Sequence, residues 1–314
     1  GDIYATGANL SIDTVANGAK AYITGTSSTI SSNAGTVYAT GNTTNITNNN
    51  GGQVYATGLT TNITTNNGTV RISGLTSTIT TVANGGKVYM SGATNTVTTN
   101  NGTMYVSGYS NTLYNSGVAH VTGQVITIAS STGPMTLSGN ANTVTTAAGL
   151  VRMSGINTIT TATSTVYMTG NSNTITTANG DVLITGNSNT ITSNAGKVWM
   201  SGKSSTVTNA NGGDIYLTGN TSTVTNANGG RIFITGHTAT LATAQGTVNI
   251  TGKQNTITTA SATVNISGGT NTVTTANGKV VMTGGANTVT TANGTVYASG
   301  INTITTASNR VSMS

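Results

Sequence analysis

The amino-acid sequence predicts an all-β protein, a parallel β-solenoid (β-helix) in which short strands stack coil upon coil. Three observations lead to this prediction. A unit of about sixteen residues recurs along the chain, apolar and polar residues alternate inside each unit, and glycine marks the same point of every unit. The segment NTITSNAGKVWMSG, residues 189–202, shows the pattern. Such a unit is too short for a pair of helices and favours two short strands with two tight turns.

A Thr-Gly or Ser-Gly pair sets the length of the repeat. Successive pairs lie 15 to 18 residues apart, most often 16, which gives about 19 coils over 314 residues. We therefore expect a single continuous solenoid, residues 1–314, with irregular coils around 109–134. There Tyr114 and Ala129 replace a repeated threonine, and the only proline, Pro134, occurs. This stretch is either a binding spot or kink, or a divergent coil without a function of its own.

The alternation of residue types predicts which side chains enter the core. The first strand has an aliphatic centre, as at Ile175, flanked mainly by threonine, and the second has apolar residues at positions such as Val166 and Met168. Because side chains of a strand alternate between its faces, Ile, Val and Met are expected to point inward, and Thr and Tyr outward. An asparagine before the first threonine is expected to point inward and to bond its copy one coil away, since a buried amide needs a partner. These asparagines are Asn142, Asn157, Asn173, Asn189, Asn255, Asn271, Asn287 and Asn302.

Glycine-containing turns close each coil. Asn-Gly pairs recur there and predict positive φ at the glycine, as at Gly18, Gly180, Gly229 and Gly294. The period places like residues beside each other on every coil. We therefore expect parallel stacked coils rather than antiparallel hairpins.

Composition argues against several classes of function. The chain has no cysteine, and its net charge of +6 is spread thinly rather than gathered on one face, as in proteins that bind nucleic acid. No apolar run approaches the roughly 20 residues of a membrane helix. Glutamate is absent, and short turns build no cleft around the four aspartates, so we expect no enzyme and no cofactor. His120 and His237 lie too many coils apart to share a metal ion.

Two ranks of outward threonine form what we call the threonine array. The first rank precedes the aliphatic centre of the first strand, as Thr174 precedes Ile175, and the second rank follows it, as at Thr176. The ranks are spaced about 6.7 Å along the strand and repeat every 4.8 Å or so between coils. This flat grid resembles the ice-binding face of solenoidal antifreeze proteins, which implies ice binding as an alternative function. Threonine is also simply a favoured polar residue on an exposed strand. The array comprises Thr143, Thr145, Thr158, Thr160, Thr174, Thr176, Thr190, Thr192, Thr206, Thr208, Thr223 and Thr225.

The other outward face carries an aromatic column and a column of alternating charge. Exposed aromatic rows can bind sugars or contact a partner chain, but stacking within one sheet explains them equally well. Asp181, Lys197, Asp214 and Arg231 follow one another on successive coils, so that opposite charges are neighbours. The aromatic column comprises Tyr4, Tyr22, Tyr38, Tyr55, Tyr89, Tyr105, Tyr167, Trp199, Tyr216, Phe233 and Tyr297.

Both ends of the sequence lack a polar cap. Residues 1–7 already match a full second strand and residues 310–314 match another, so copies of the chain are expected to stack head to tail into a filament, unless the chain is a trimmed piece of a longer repeat protein. The aromatic column is a candidate for lateral bundling. The repeats resemble those of bacterial extracellular fibre and adhesin solenoids. This resemblance implies a non-enzymatic structural protein, extracellular or at the cell surface, that is a self-assembling filament subunit or an adhesin shaft.

Overall fold

The computed structural model describes residues 1–13, 18–32, 35–48, 52–65, 68–81, 86–99, 102–115, 117–211, 213–261, 263–308 and 310–314. These ranges contain β-strands and no helix. The strands form a parallel β-solenoid of about 17 turns, close to the 19 or so coils expected from the repeat. The predicted fold class is therefore confirmed.

The described residues form twenty strands. They are β1 (Ile3–Ile12), β2 (Lys20–Ser32), β3 (Thr36–Asn48), β4 (Gln53–Thr65), β5 (Thr69–Thr81), β6 (Lys87–Thr99), β7 (Thr103–Asn115), β8 (Val118–Ser131), β9 (Met135–Ala147), β10 (Val151–Ala162), β11 (Val166–Ala178), β12 (Val182–Asn194), β13 (Val198–Asn211), β14 (Ile215–Asn228), β15 (Arg231–Ala244), β16 (Thr247–Ala260), β17 (Val264–Ala276), β18 (Val280–Ala292), β19 (Val296–Ala307) and β20 (Val311–Met313).

The chain divides into two compact units, Gly1–Ile156 and Asn157–Ser314. In the first unit, strands β1 to β9 pair in parallel, each with the next along the chain. In the second unit, strands β11 to β20 pair in the same way. Strand β10 contains the boundary. The expectation of one continuous domain stays a prediction.

Each coil holds one long strand where the sequence suggested two short ones. In β11, Val166 and Met168 are buried, whereas the consecutive residues Asn171 and Ser172 are both exposed. Two exposed residues in a row shift the alternation by one position. We call this point of the coil, next to the repeat glycine, the corner. The half of the strand after the corner therefore also sends alternate side chains into the core. The ladder continues through the corner, because Gly170 pairs with Gly186 of the next coil.

Like residues stack on like in the core. Val166 pairs with Val182, and Ile175 pairs with Ile191, all four fully buried. Burial of the aliphatic, valine and methionine positions on inner coils confirms the predicted inward set there, whereas Ile12 and Ile304 are half-buried and Met313 is 59% exposed. The sequence prediction missed a third inward position near the end of many strands, where alanine is buried. It is occupied by Ala147, Ala162, Ala178, Ala210 and Ala227.

The inward asparagines form hydrogen-bonded chains along the solenoid. In the second unit Asn157 Nδ2 donates to Asn173 Oδ1 (2.7 Å), and Asn173 Nδ2 donates to Asn189 Oδ1 (2.9 Å). Each amide also donates to a main-chain carbonyl at the corner, such as Ser201 O for Asn189 (3.1 Å). The predicted asparagine ladder is confirmed there. A second chain, with bonds of 2.8 Å, links Asn255, Asn271, Asn287 and Asn302 in that order.

The asparagine ladder stops where another residue type takes its place. Asn189 pairs with Ser205, whose hydroxyl has no hydrogen-bond partner among the described residues, and Ser222 follows in the same state. A hydroxymethyl group is too short to span the distance between coils. In the first unit, Ile126 occupies the position between Asn111 and Asn142. Asn142 itself is buried and donates to Ser154 O (2.7 Å).

Turn glycines serve a steric purpose more often than a conformational one. Positive φ occurs at Gly18 (79°) and Gly229 (74°), as predicted from their Asn-Gly pairs. At Gly180 and Gly294 that prediction is wrong, because neither has positive φ. There a Cβ would overlap the main chain of the preceding coil, so glycine is required by the close approach of two backbones.

The irregular stretch around 109–134 contains a β-bulge. Between β7 and β8, Leu113 pairs with Ile128, but the next residue, Tyr114, pairs with Ser130. Ala129 is therefore one extra residue, which the ladder absorbs without breaking. Pro134 precedes β9, where its carbonyl accepts the amide of Ala119 (3.0 Å) and its missing N–H does not interrupt the strand. These features fit a divergent coil.

Candidate functional site

The threonine array lies on an outward face of both units. All of its predicted members are exposed or half-buried. In the second unit the first rank is in register from β11 to β14, where Thr174, Thr190, Thr206 and Thr223 pair in sequence. The register then continues through a threonine that the sequence analysis left out of the array, Thr240, and through Thr256, Thr272, Thr288 and Thr303. The first rank therefore runs without interruption from Thr174 to Thr303.

The two ranks of the array are not equally accessible. In β11 and β12, Thr174 and Thr190 of the first rank are half-buried, whereas Thr176 and Thr192 of the second rank are exposed. Ala242 interrupts the second rank in β15. In the first unit, Thr143 and Thr145 of β9 are both exposed. The array thus presents methyl and hydroxyl groups at a fixed spacing set by the backbone ladder.

The aromatic column is a true stack in the first unit. The rings of Tyr4, Tyr22, Tyr38 and Tyr55 follow one another with centroid separations of 4.8–4.9 Å and interplanar angles of 3–8°. The in-register ladder imposes this spacing, because identical side chains on adjacent coils adopt the same direction. Tyr4, at the first coil, is 75% exposed, and the next three rings are half-buried.

A guanidinium replaces one ring of the column. Arg71 lies between Tyr55 and Tyr89, with its Cζ 5.4 Å and 5.1 Å from the two ring centroids. Its Nη1 also donates to the Tyr55 hydroxyl (3.1 Å). The column then resumes with Tyr89, Tyr105 and His120, each pair 5.0 Å apart. Arg71 and His120 belong to the column, but neither was predicted, because only Tyr, Trp and Phe were assigned to it from the sequence.

This geometry limits what the column can bind. Rings stacked face to face on neighbouring coils expose their edges and hydroxyls to solvent, and their faces are covered by the next ring. A sugar ring packs on an aromatic face, so the interior of the stack offers no such platform. Stacking within the sheet, one of the two interpretations drawn from the sequence, is observed. Contact with a partner chain through the ring edges stays a prediction.

The column of the second unit is discontinuous. Trp199, Tyr216 and Phe233 stack with centroid separations of 5.7 Å and 4.9 Å. Asn265 Nδ2 then donates to Asn249 Oδ1 (3.0 Å) in the same column. On the other side of Trp199, Leu183 stands between it and Tyr167. Tyr297, near the end of the unit, has the Lys279 ammonium 5.3 Å from its ring centroid.

The charge column forms one ion pair within the described residues. Arg231 Nη2 donates to Asp214 Oδ2 (2.7 Å), and the Arg231 main-chain N–H donates to Asp214 Oδ1 (2.9 Å). The side-chain hydrogen bond from Arg231, followed by its main-chain one, lowers the pKa of Asp214 from 3.8 to about 2. The same bond raises the pKa of Arg231.

Aspartates that lie just before a strand also accept a main-chain hydrogen bond from the next coil. Asp181 Oδ1 accepts the main-chain N–H of Lys197 (2.9 Å), and Asp2 Oδ1 accepts that of Lys20 (3.1 Å). Each aspartate therefore binds the first amide of the next coil, where a basic residue follows. In the sequence, an aspartate followed by Lys or Arg one repeat later indicates this contact.

A pair of exposed leucines was missed at the glycine corner. Leu59 and Leu75 are 56% and 58% exposed and occupy matching positions after the paired glycines Gly58 and Gly74. They border an open groove of about 550 Å³. In the sequence, this leucine pair is marked by an apolar residue directly after the repeat glycine, a position where other repeats commonly have asparagine.

No cluster of three or more potential metal ligands, and no helix long and apolar enough to span a membrane, occurs among the described residues. Comparison with protein-family models, curated proteins and solved structures finds no match to this chain.

Proposed function

We propose that the protein is a non-enzymatic structural protein, an extracellular or cell-surface β-solenoid that stacks into a filament or forms the shaft of an adhesin. The observation that carries the proposal is the register of the coils. Many coils place valine on valine, isoleucine on isoleucine or tyrosine on tyrosine, so the surface of one such coil is complementary to the next. A coil whose surface is complementary to its own copy can be extended by coils of further protein copies.

Inward side chains on the first and last strands are more exposed than their copies on inner coils. In β1, Ile12 is half-buried, whereas Ile30 at the same position one coil later is 1% exposed. In β20, Met313 is 59% exposed. A second copy paired with β1 or β20 would bury these side chains and extend the backbone ladder. The extracellular location is proposed by analogy with the bacterial fibre and adhesin solenoids that the repeats resemble.

Assembly can be tested by sedimentation velocity over a series of concentrations, together with negative-stain microscopy. Wild-type protein is expected to form species that lengthen with concentration. Ile12→Lys, which places a charge at an inward position of β1, is expected to shorten them. Thr6→Lys, on the outward face of the same strand, is the matched control and is expected to assemble as wild type does. Wild-type particles of constant size at high concentration, or equal assembly of the two variants, would contradict the proposal. Circular dichroism verifies that both variants retain the β-solenoid.

Ice binding is the second candidate, and the in-register first rank of the threonine array favours it. The assays are thermal hysteresis and the shaping of ice crystals. Thr176→Tyr combined with Thr192→Tyr disrupts the exposed second rank and is expected to abolish both effects. Thr169→Tyr combined with Thr185→Tyr makes the same change on the other face of β11 and β12 and should leave activity intact. Absence of hysteresis in the wild type would exclude this function.

A further inference from the structure

The aromatic column of the second unit has a gap that the structure leaves open to solvent. Tyr167, Leu183 and Trp199 occupy the same column position on three successive coils. Leu183 is 42% exposed, a high value for an aliphatic side chain, because it is shorter than the rings on either side. The two rings stand two coils apart, roughly 9.6 Å at the usual strand spacing. We call this space the ring gap.

The chain itself shows what fits between rings two coils apart. In the first unit, Arg71 fills the corresponding space between Tyr55 and Tyr89, with its guanidinium carbon 5.4 Å and 5.1 Å from the two ring centroids. A planar cation is attracted by the negative faces of both rings. At the ring gap the side chain between the rings is leucine, which supplies the floor of the space and no charge.

The rim of the ring gap adds a negative charge. The cavity has a volume of about 390 Å³ and is lined by Thr165, Tyr167, Asp181, Leu183 and Trp199, together with the strand at Val182. Asp181 accepts the Lys197 main-chain N–H on Oδ1, and its Oδ2 accepts no hydrogen bond from the described residues. Asp214 differs, because Arg231 occupies both of its oxygens.

We propose that the ring gap binds a small organic cation, a guanidinium or a methylated ammonium group, held between the faces of Tyr167 and Trp199 and paired with the Asp181 carboxylate. Two aromatic walls, an aliphatic floor and one carboxylate form a site for a weakly hydrated cation. The volume lies near the lower end for ligand sites, which selects a small group over a large molecule. The structural role proposed above does not depend on this site.

The single tryptophan gives a direct readout, since Trp199 is the only one in the chain. Choline and methylguanidinium are titrated at constant ionic strength while tryptophan fluorescence is recorded. Both cations are expected to give a saturable change. The neutral choline isostere 3,3-dimethylbutanol is expected to give none. Tighter binding of choline would assign a methylated ammonium as ligand, and tighter binding of methylguanidinium would assign an arginine-like group.

Variants separate the site from non-specific effects. Asp181→Asn and Tyr167→Leu are each expected to weaken binding about fivefold, the size expected from loss of one exposed charge or ring contact. Asp214→Asn removes a carboxylate that lies outside the ring gap and should leave binding unchanged. Equal responses to choline and its neutral isostere, no saturable response, or a wild-type affinity in Asp181→Asn would each overturn the proposal.

Leu183→Arg provides a test with a gain of function. An arginine at this position should occupy the ring gap as Arg71 occupies its own, change the tryptophan emission without added ligand, and abolish the response to choline. Leu183→Met keeps an uncharged side chain and should still bind choline. If Leu183→Arg bound choline as wild type does, the proposed position of the cation would be wrong.

Discussion

Removal of one buried asparagine should destabilise the coils around it far more than removal of an exposed one. Asn271 is fully buried and is the second member of the chain of amides from Asn255 to Asn302. Its Oδ1 accepts from Asn255 Nδ2 (2.8 Å), and its Nδ2 donates to Asn287 Oδ1 (2.8 Å) and to Thr283 O (3.3 Å). Asn271→Ala removes all three bonds.

The expected cost follows from these contacts. A hydrogen bond contributes about 1 kcal/mol net, so three amount to about 3 kcal/mol. The side-chain oxygen of Asn287, Oδ1, loses its side-chain donor, whereas Asn255 Nδ2 keeps its bonds to Gly252 O and Ser267 O. The control is Asn277→Ala. Asn277 also accepts from an asparagine one coil away, Asn293 (2.9 Å), but both are exposed, so its loss should cost below about 0.5 kcal/mol.

Hydrogen exchange measured by mass spectrometry is the suitable assay, because repeat proteins can unfold segment by segment and need not show one global transition. A cost of about 3 kcal/mol accelerates exchange roughly a hundredfold where exchange follows opening of the coil. We expect this acceleration in peptides from β16 to β18 of Asn271→Ala, and less than about threefold in Asn277→Ala. Equal acceleration in the two variants would refute the claim that the buried amide chain holds the coils together.

Three further predictions concern the corner, the ion pair and the aromatic column. Gly284→Ala should lower the free energy of unfolding by about 3 kcal/mol, because its Cβ would overlap the carbonyl of the preceding coil. Gly285→Ala, whose Cβ would lie 3.2 Å from its nearest neighbour, should lower it far less. Similar melting temperatures of the two variants would contradict this. Arg231→Gln should raise the pKa of Asp214 from about 2 towards 3.8 in an NMR titration. Because that pKa is depressed in the folded protein, the stabilisation by the pair is present above about pH 4 and is lost as the pH falls towards 2; an unchanged titration would contradict it. Tyr38→Arg should have a melting temperature close to that of the wild type, since an arginine already replaces a ring in this column. Tyr38→Asp should have a lower melting temperature. The reverse order would contradict cation–π packing.

The sequence was sufficient to predict most of the core and the asparagine ladder. Alternation places Ile175 and Met168 inward without reference to any other coil, and an inward amide such as Asn173 then has its repeat copy as its nearest available partner. The alternating charges were predicted for the same reason, since Asp214 and Arg231 are one repeat apart. Periodicity conveys these features because each depends on neighbours exactly one repeat away.

Other features depend on the path of the backbone, which periodicity does not specify. Ala178 is compatible with a turn or a core, and only the folded coil shows that it is buried. Gly294 was expected to need positive φ, but it is required because two backbones approach closely. Arg71 interrupts the aromatic pattern in sequence, and its position between two rings becomes visible only when the coils are stacked.

Engineered disulfides test the register of the coils most directly, because the chain has no cysteine of its own. Thr190 and Thr206 are register partners on adjacent coils, whereas Thr190 and Thr223 lie two coils apart. Adjacent parallel strands hold Cα atoms about 4.8 Å apart, within the range of a disulfide, and two coils give roughly 9.6 Å, which is outside it. Thr190→Cys with Thr206→Cys is therefore expected to form an intramolecular disulfide under mild oxidation, and Thr190→Cys with Thr223→Cys is expected to stay reduced. Failure of the first pair, or equal oxidation of both, would contradict the parallel in-register solenoid.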